Sequence, residues 1–534
     1  MIKSSDITQY LKRQGYKVEI TATGRLEKTI ILSKIVEGHK FKVMSTFDDY
    51  QLKILNRYPD ASICQILREL LLKIDDETLI EKNIKIVKDK LHKKEVHIIV
   101  SHCADEVINY LSSKKISGIE IIYHRISEKV LMEGISSSLL QIRNIINDYF
   151  LVIFGDEIYL HSDHDKMLES INQNINFDFY CMIKETNNPN EILKNYSVEI
   201  SNEKITSLKE KPNKLRNNYL GLGTIVCSKR ILKLIESVPK QMHFIDTLNY
   251  GIQNGFNAFY YLSKCEYCNI NDKDDYFLAK FLFRSRNINS CKKSLIIPAY
   301  NEANTIGYVV KDFKKYVDEI IVMDNESPDG TGEIAKEAGA KVLSAKYKGY
   351  GDAIRQGLKK ADGEILVITE ADATFLAKDI TKLLEYLKDA DAVIGTRTHR
   401  DFIQNKANMG FFLRVGNYIY GKIISLLWWD RRVRLSDVGC TYRALWRSSY
   451  EEIKDRLESN GPEFSPEMIV ELLNSYLRII EIPLSYCRRR LGKSKISRSK
   501  WHSFVVAKRM LYLILQKRLR SWINNLKLLT QTTK

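Results

Sequence analysis

The chain has 534 residues and a formal net charge of +17, from 83 lysines and arginines against 66 aspartates and glutamates. At about 100–200 residues per domain, this length excludes a single small domain and predicts two or three domains. The positive charge favours anionic partners, and the lack of any apolar run of about 18 residues argues against a membrane-spanning helix.

The cysteines bear on the cellular compartment. There are nine, an odd number, and no signal peptide is recognised ahead of them. Because disulfides are rare in the reducing cytosol, this usage predicts a cytoplasmic protein.

Residues 1–92 form a first region of mixed pattern. Strand-like segments stand at Lys17–Ile20 and Thr29–Leu32, and helix-like segments follow at Ile63–Ile74 and Leu79–Leu91. No chemistry is assigned to this region. We predict a small α+β cap or docking element.

Residues 93–287 alternate short apolar runs with helix-length segments. The runs VHIIVS, IEIIYHR, YFLVIFGDEI and FDFYCMIKE are rich in the β-branched and aromatic residues that strands favour. This alternation predicts an α/β domain.

Residues 288–534 repeat the rhythm, with the strand-like runs SLIIPAY, EIIVMD, KVLSA and EILVIT each followed by a helix-length segment. Strands joined by crossover helices are parallel, so the chain is predicted to hold two Rossmann-like α/β domains with mainly parallel sheets. The polar, cationic segment Arg284–Lys293 is the predicted junction.

Five polar clusters lie in this last domain, mostly just after predicted strands. Because open α/β sheets bind ligands at the carboxyl edge of their strands, the clusters predict one binding site. They are PAYNE (Pro298–Glu302), VMDNESPDGT (Val322–Thr331), TEADATF (Thr369–Phe375), SDVGCTYR (Ser436–Arg443) and GKSK (Gly492–Lys495).

Two carboxylates, Glu370 and Asp372, stand at the end of one predicted strand. Mg²⁺ and Mn²⁺ prefer hard oxygen ligands and can offset the charge on a departing diphosphate. We therefore predict a Mg²⁺ or Mn²⁺ site for a nucleotide-diphosphate substrate. The alternative is a capping pair for a helix that begins near Lys378.

From Ser294 to about Leu515, the order of motifs resembles family 2 glycosyltransferases with a GT-A fold, in the dolichyl-phosphate mannose synthase-like and polyprenyl-phosphate glycosyltransferase branch. At the first metal carboxylate, commonly Asp in that family, this chain has Glu370. The matching elements are PAYNE, D-x-x-S-x-D-G-T at Asp324–Thr331, GYGDAIRQG at Gly349–Gly357, EAD at Glu370–Asp372, GTR at Gly395–Arg397, RVGN at Arg414–Asn417, DVGCTYR, and R-x-x-G-x-S-K from Arg489 to Lys495.

The resemblance implies a role for each motif. Asp372 is the first choice of metal ligand, because Glu370 is one methylene longer than the usual Asp. The implied contacts are the nucleoside with Pro298, Tyr300, Glu302 and Asp324, the metal and diphosphate with Glu370 and Asp372, the acceptor phosphate with Arg397 and Arg414, and the donor phosphates with Arg489, Arg490 and Lys495.

Asp437 is the candidate catalytic base that the resemblance implies. A hydroxyl acceptor must lose its proton as it attacks the sugar, whereas a phosphate monoester, with a second pKa of about 6, is already largely ionised at neutral pH. With a phosphate acceptor, Asp437 would orient the acceptor or an arginine. The alternative is a structural carboxylate paired with Arg443.

The tail from Trp501 to Leu529 mixes apolar residues with many cations. This pattern fits a basic amphipathic helix at an anionic membrane surface. It fits packing against the catalytic domain equally well.

Residues 93–287 resemble sugar-1-phosphate nucleotidyltransferases, through FLVIFGDEI, EKP, YLGLGTIV and DDYxxA. The resemblance implies a second site, with Mg²⁺ at Asp156 and sugar contacts from Glu210 and Lys211. Two departures favour a degenerate binding or scaffolding domain. The glycine-rich phosphate loop has only a poor remnant at Thr23–Arg25, and Asn269 stands at the second metal carboxylate.

The resemblance implies an inverting glycosyltransferase that moves a hexose from a GDP- or UDP-linked sugar to a polyprenyl (dolichyl) phosphate at the cytosolic face of a membrane. The open alternatives are a soluble phosphorylated acceptor or lipid headgroup, and a bifunctional nucleotidyltransferase/glycosyltransferase. A non-enzymatic alternative is a nucleotide-sugar sensor or membrane scaffold. No nucleic-acid partner is predicted.

Overall fold

A computed structural model gives the fold of two compact units, Met1–Ala279 and Lys280–Lys534. The residues that it describes are 16–23, 27–36, 39–46, 73–74, 77–100, 104–114, 116–127, 129–130, 133–146, 148–173, 176–240, 242–270, 273–405, 407, 410–431, 433–489 and 500–531.

The first unit begins with a three-stranded antiparallel sheet, which confirms the strands expected at Lys17–Ile20 and Thr29–Leu32. Its strands are β1 (Tyr16–Thr23), β2 (Glu27–Val36), β3 (His39–Thr46), β4 (Lys73–Ile74), β5 (Glu77–Thr78), β6 (Glu95–Val100), β7 (Glu120–Arg125), β8 (Tyr149–Ile153), β9 (Glu157–Leu160), β10 (Phe179–Glu185), β11 (Tyr196–Ser201), β12 (Lys204–Glu210), β13 (Tyr219–Ser228), β14 (Ala258–Leu262) and β15 (Glu266–Asn269).

The helices of this part of the chain include the one expected from Leu79. It starts with a capping box, since the Thr78 side chain accepts the Glu81 N–H and the Glu81 carboxylate accepts the Thr78 N–H. Most of the helical segment expected from Ile63 lies outside the described residues. The helices are α1 (Leu79–Lys85), α2 (Ala104–Lys114), α3 (Ile135–Gln141), α4 (His164–Gln173), α5 (Pro189–Lys194), α6 (Arg230–Ser237), α7 (Phe244–Gln253) and α8 (Lys273–Asn287).

The main sheet of the first unit runs in the order β12-β11-β13-β10-β14, with β8 also paired to β13. Only the β10–β14 pair is parallel, and the remaining pairs of this sheet are antiparallel. The α/β class is as predicted, but mainly parallel pairing is not found here. One cause is the tight turn between β11 and β12, which makes these two strands an antiparallel hairpin. Apolar runs alone do not reveal such a turn.

The second unit is built around a seven-stranded sheet in the order β18-β17-β16-β19-β21-β20-β22. Its strands are β16 (Lys293–Ala299), β17 (Glu319–Asp324), β18 (Lys341–Ser344), β19 (Ile365–Ile368), β20 (Ala392–Thr396), β21 (Arg443–Trp446) and β22 (Ile479–Pro483). Its helices are α9 (Ala303–Phe313), α10 (Thr331–Glu337), α11 (Tyr350–Lys360), α12 (Ile380–Leu387), α13 (Phe411–Leu427), α14 (Arg447–Ile453), α15 (Phe464–Asn474) and α16 (Lys500–Gln531).

In this sheet every strand except β21 points the same way, as predicted for a doubly wound domain. Alternate residues of each strand face opposite layers, so that Leu295 and Ile297 of β16 join one core and Ile296 joins the other. Helices α9, α10 and α12 cover the first face, and α11, α14 and α15 cover the second.

The unit boundary falls inside α8, at Ala279 and Lys280, upstream of the predicted junction Arg284–Lys293. Lys280 and Arg284 are buried against the Asp391 carboxylate, at 2.6 and 2.8 Å. Arg284 also stacks over Trp446, 5.0 Å from its ring centroid. Arg284, one of the cations that suggested a linker, is therefore in a helix and is held by an ion pair with Asp391. A buried charge needs such a partner.

Helices α13 and α16 pack together through Ile424, Trp428 and Ile514, and Lys517 of α16 reaches Glu467 and Glu471 at 3.1 and 2.9 Å. The expectation that the tail packs against its domain is confirmed for this face. Each helix also exposes an apolar stripe, defined by Tyr418, Ile419, Leu426 and Trp429 along α13 and just beyond it, and by Tyr512, Leu515, Leu519 and Trp522 on α16. Within the described ranges, no helix is long and apolar enough to cross a membrane.

Candidate active site

Four of the five predicted polar clusters meet at the carboxyl edge of the sheet in the second unit, and the fifth, GKSK, lies outside the described residues. From β16 the chain proceeds to β17 and β18 on one side, and then returns to β19 on the other side of β16. Such a reversal of strand order opens a crevice where α/β proteins bind ligands. The loops after β16, β17 and β19 therefore border one crevice.

The PAYNE turn follows β16 and is tied to the loop after β17. Asn301 adopts the left-handed backbone with φ of 54°, a conformation that Asn tolerates. The Glu302 N–H donates to Thr331 Oγ1 at 2.9 Å, and the Ala303 N–H donates to Asp329 Oδ2 at 3.1 Å. Tyr300 is exposed at the crevice edge. The two motifs predicted to bind the nucleoside are thus held together by these hydrogen bonds.

Asp324 ends β17 and is buried. Its Oδ1 accepts the Ser327 hydroxyl at 2.5 Å, and its Oδ2 accepts the Ser344 hydroxyl at 3.2 Å. Helix α10 approaches closely, because a Cβ at Gly332 would lie 3.0 Å from Asp324 Oδ2. Asp324 is therefore fixed beside Pro298 and Tyr300, to which the β16–β17 register brings it.

The carboxylates of the EAD motif follow β19. Glu370 Oε1 accepts the Thr441 hydroxyl at 2.7 Å, and Asp372 Oδ1 accepts the Thr374 N–H and hydroxyl at 3.1 and 2.6 Å. Burial, with the neighbouring Asp372 charge, raises the pKa of Glu370 to about 7. Both carboxylates accept hydrogen bonds from threonines of the crevice. Helix α12 starts at Ile380 with no side-chain cap among the described contacts, so the alternative that these carboxylates cap a helix is wrong.

Arg489 bridges two of the predicted motifs. Its Nη2 pairs with Glu302 Oε1, and its Nη1 lies 3.4 Å from Asp372 Oδ2. The structure thus brings the residue predicted to bind the donor phosphates into contact with one predicted to bind the nucleoside and one predicted to bind the metal. Arg490 and Lys495, predicted to share its role, lie outside the described residues.

Asp437 and Arg397 form a bidentate pair in the same crevice. Asp437 Oδ2 accepts the Arg397 backbone N–H at 2.9 Å and its Nε–H at 2.8 Å, while Oδ1 accepts Nη2–H at 3.0 Å and the Gly439 N–H at 3.1 Å. Asp437 is completely buried. The alternative pairing with Arg443 is wrong, since that arginine donates to the carbonyls of Ser465 and Cys440.

The RVGN motif lies on the first turns of α13. Asn417 and Arg397 crowd Gly439, where a Cβ would lie 3.0 Å from Asn417 Oδ1 and 3.2 Å from Arg397 Nη2. This close approach explains the glycine of DVGC. Arg414 stands one turn before Asn417 on the same helix, so RVGN and GTR are neighbours.

The donor set fits a Mg²⁺ or Mn²⁺ ion. Glu370 and Asp372 offer hard oxygens at one strand end, and Asp372 Oδ2 already faces the cationic Arg489. Among the described residues, no group of three or more His, Cys, Asp and Glu could hold a metal. Ions held by one or two carboxylates complete their shells with phosphates and water, so the pair suits an ion that arrives with a diphosphate.

The second site predicted in the first unit also gathers at one place. The Ile270 N–H donates to the Asp156 carbonyl at 3.1 Å, and Asn269 Nδ2 donates to Asn195 Oδ1 at 2.6 Å. The Lys211 N–H in turn donates to the Asn195 carbonyl at 2.7 Å, beside Glu210. Burial raises the pKa of Asp156 and that of Glu210.

Three residues that contact the candidate site were not singled out by the sequence analysis. The hydroxyls of Tyr350 and Thr441 lie 2.6 Å apart, behind Glu370, and Glu481 Oε1 accepts the N–H groups of Ser436 and Asp437 at 2.9 and 2.8 Å. Tyr350 and Thr441 stand inside the matched motifs GYGDAIRQG and DVGCTYR, which is the signal that could have found them.

Two family models match the chain, Glycosyl transferase family 2 over residues 294–453 and Nucleotidyl transferase over residues 64–280. Among solved structures, the chain is similar to a putative glucose-1-phosphate thymidylyltransferase from Bacillus anthracis, with 18% identity and a TM-score of 0.36 over 40% of this chain and 85% of that one.

Two curated relatives align with about two fifths of the chain. Glycosyltransferase AglJ from Haloferax volcanii is 30% identical over 37% of this chain, and the chain spans 64% of that relative's length. Undecaprenyl-phosphate mannosyltransferase from Micrococcus luteus is 30% identical over 38% of this chain and 86% of the relative. With this identity over most of a relative and the matching family model, the chain belongs to glycosyltransferase family 2.

Proposed function

We propose that the second unit is an inverting glycosyltransferase that moves a hexose from a nucleotide-diphosphate sugar to a polyprenyl phosphate. The relative from Micrococcus luteus, named an undecaprenyl-phosphate mannosyltransferase, supports this acceptor class. The gathering of Glu302, Asp324, Glu370 and Asp372 with Arg489 at one crevice supports a nucleotide-diphosphate donor.

The engagement of Asp437 is the observation that carries the choice of acceptor. A carboxylate has about four lone-pair sites, and Asp437 fills them with three bonds from Arg397 and one from Gly439. A general base needs a free lone pair within reach of the proton that it takes. The arrangement suits an acceptor that brings its own negative oxygen, which a phosphate does.

The chemistry then needs no proton transfer at attack. A phosphate oxygen of the acceptor forms the new bond to the anomeric carbon, on the face opposite the bond to the donor diphosphate. The bond between the anomeric carbon and the donor diphosphate breaks, and the nucleoside diphosphate leaves with the electron pair of that bond. The charge moves from the attacking phosphate to the leaving diphosphate, so cations are required at both ends of the reaction.

The residues on the two sides of the crevice divide this work. Asp437 holds the guanidinium of Arg397, which with Arg414 would receive the acceptor phosphate. Arg489 would move from Glu302 and Asp372 to the donor phosphates. Glu370 and Asp372 would hold Mg²⁺ or Mn²⁺, which when bound neutralises charge on the leaving diphosphate.

The apolar stripes of α13 and α16 support docking at the cytosolic face of an anionic membrane. Neither helix contains an Asp or a Glu, while both carry cations. Leu426 and Trp429 are 73% and 69% exposed, and exposed stripes of this kind on basic helices mark membrane or protein interfaces. A polyprenyl phosphate would be met at such a surface.

A partition assay tests the acceptor. The protein is incubated with radiolabelled GDP-mannose or UDP-glucose, Mg²⁺ and a short polyprenyl phosphate, and the products are extracted with organic solvent. Label in the organic phase is the expected result. Label that stays wholly in water with both donors would contradict a lipid acceptor.

Vesicle sedimentation tests the docking surface. Leu426→Gln with Trp429→Gln should weaken binding to phosphatidylglycerol vesicles about tenfold, because apolar area that enters the bilayer boundary is lost. The matched control is Tyr308→Gln, which changes a 77% exposed residue on α9. Equal losses in the variant and the control would refute the stripe on α13 as the contact.

A further inference from the structure

Three motifs far apart in the chain meet behind the metal-binding edge. Thr441, of DVGCTYR, is buried and donates its hydroxyl hydrogen to Glu370 Oε1 at 2.7 Å. Its oxygen lies 2.6 Å from the hydroxyl of Tyr350, of GYGDAIRQG. Since Thr441 has one hydrogen and gives it to Glu370, Tyr350 must donate to Thr441.

The glycines around Tyr350 place it there. Gly349 has φ of 149°, in the region that favours glycine, and a Cβ on it would lie 2.5 Å from the Asn460 carbonyl oxygen. A Cβ on Gly351 would lie 2.5 Å from the Ser459 carbonyl oxygen. These close approaches seat the start of α11 against that loop, with Tyr350 directed at Thr441.

Glu370 is the member of the carboxylate pair that needs such support. Glu has one more rotatable bond than Asp, so an unsupported Glu carboxylate samples more positions and loses more entropy when it binds a cation. Asp372 is already held by Thr374 two residues away, whereas the contact of Glu370 comes from 71 residues further along the chain.

We propose that Thr441, held by Tyr350, is a positioning residue that fixes the Glu370 carboxylate at the metal-binding edge. This inference rests on the proposed function, in which Glu370 and Asp372 hold a divalent cation. The two hydroxyls form a short directional chain, and a bond to a charged acceptor is about twice as strong as a neutral one. The longer acid is thereby prepositioned for a cation.

Binding of Mn²⁺ to the full chain in the presence of UDP or GDP, measured by equilibrium dialysis, tests the proposal. Thr441→Val keeps the shape but removes the hydroxyl, and should weaken Mn²⁺ binding about tenfold. Thr441→Ser keeps the hydroxyl and should bind like the native protein. Tyr350→Phe leaves Thr441 in place and should cost about threefold.

A double-mutant comparison separates positioning from general damage. Glu370→Asp shortens the side chain beyond the reach of Thr441 and should weaken Mn²⁺ binding about as much as Thr441→Val. Adding Thr441→Val to Glu370→Asp should then cost nothing more, because the partner is already lost. Full additivity of the two losses would overturn the proposal.

The other outcomes separate this proposal from the function beneath it. Native binding by Thr441→Val, or equal losses in the Val and Ser variants, would overturn only the role of Thr441. Failure of the native protein to bind Mn²⁺, or native binding by Asp372→Ala, would remove the metal site itself and both claims with it. Should Thr441→Val not fold, Tyr350→Phe and Glu370→Asp decide the matter.

Discussion

Both units place an acidic side chain shortly after a strand, but among the described residues only the second unit pairs it with another available carboxylate. In the second unit, Glu370 and Asp372 line the crevice with Arg489 beside them. In the first unit, Asp156 has Asn269 as its neighbour, and that amide is bonded to Asn195. A neutral amide adds no charge to attract a divalent cation.

The first unit does have a second carboxylate next to Asp156, but its contacts point into the core. Glu157 is buried, with bonds from the Tyr159 and Tyr267 hydroxyls and from the Gly223 N–H at 2.8 Å. Burial, with the Asp156 charge, raises the pKa of Glu157 to about 8. The partners of a carboxylate, more than its presence, therefore decide whether it can hold a metal.

The largest expected effect is on sugar transfer, which should depend on the carboxylate of the second unit and not on that of the first. Asp372→Ala removes a charge from the proposed metal pair and should lower sugar transfer about 1,000-fold or more, the equivalent of several kcal/mol. Asp156→Ala, the matched control in the first unit, should leave transfer unchanged. The partition assay measures both, and loss of transfer in the Asp156 variant alone would reverse the comparison.

Asp391→Asn should give the next largest effect, on stability. It leaves Lys280 and Arg284 buried without a countercharge, which costs about 3–5 kcal/mol when a buried pair is broken. The two cations hold the pKa of Asp391 well below its usual value despite burial, so its contribution is present above about pH 4 and is lost as the pH falls further. Urea unfolding at pH 7 and pH 3 measures this.

An Asp391→Asn variant that matches the native protein at pH 7 would contradict the anchoring of α8. The control is Asp401→Asn, an exposed carboxylate on the surface of the same unit, which should leave stability unchanged at both values of pH.

Glu157→Gln should change the pH dependence of stability. The folded pKa of Glu157 is about 8 and the unfolded value is about 4.5, so the native protein binds the extra proton and loses stability as the pH rises between them. A difference of this size between the folded and unfolded pKa corresponds to at most about 5 kcal/mol of folding free energy. The Gln variant should lose less stability between pH 5 and pH 8 in thermal melts, and identical slopes would contradict a buried, protonated Glu157.

The smallest expected effect is on the melting temperature, when a substitution restores a negative charge beside Asp156 in the first unit. In an Asp372→Ala background, Asn269→Asp should make the melting temperature rise with Mn²⁺ by about 2 °C, since binding to the folded state alone stabilises it. Asn269→Ala is the control and should show no rise. An unchanged melting temperature in the Asp variant would show that more than one missing charge separates the units.

The sequence predicted four of the seven strands in the sheet of the second unit, β16 to β19, and the crevice at their ends, because apolar runs and crossover helices leave strong local patterns. It located Asp324 at the last residue of β17, and Glu370 and Asp372 in the turn after β19, for the same reason. Antiparallel pairing in the first unit and the buried cations of α8 left no such pattern. They depend on contacts between residues distant in the chain.

Side-chain partners were the least predictable part of the site. The sequence suggests Arg443, six residues away, as a possible partner of Asp437. In the structure Asp437 pairs instead with Arg397, 40 residues away. Thr441 and Tyr350 join through tertiary packing of two motifs 91 residues apart. Motif order therefore predicted which residues gather, while their hydrogen bonds required the folded structure.

Anomalous scattering from Mn²⁺, in crystals grown with a nucleoside diphosphate, tests most directly where the cation is held. The account predicts a peak beside Asp372 in the second unit, with Glu370 close by and Arg489 moved to the diphosphate, and no peak at Asp156. A peak at Asp156 alone, or a nucleotide bound in the second unit without a cation, would contradict it.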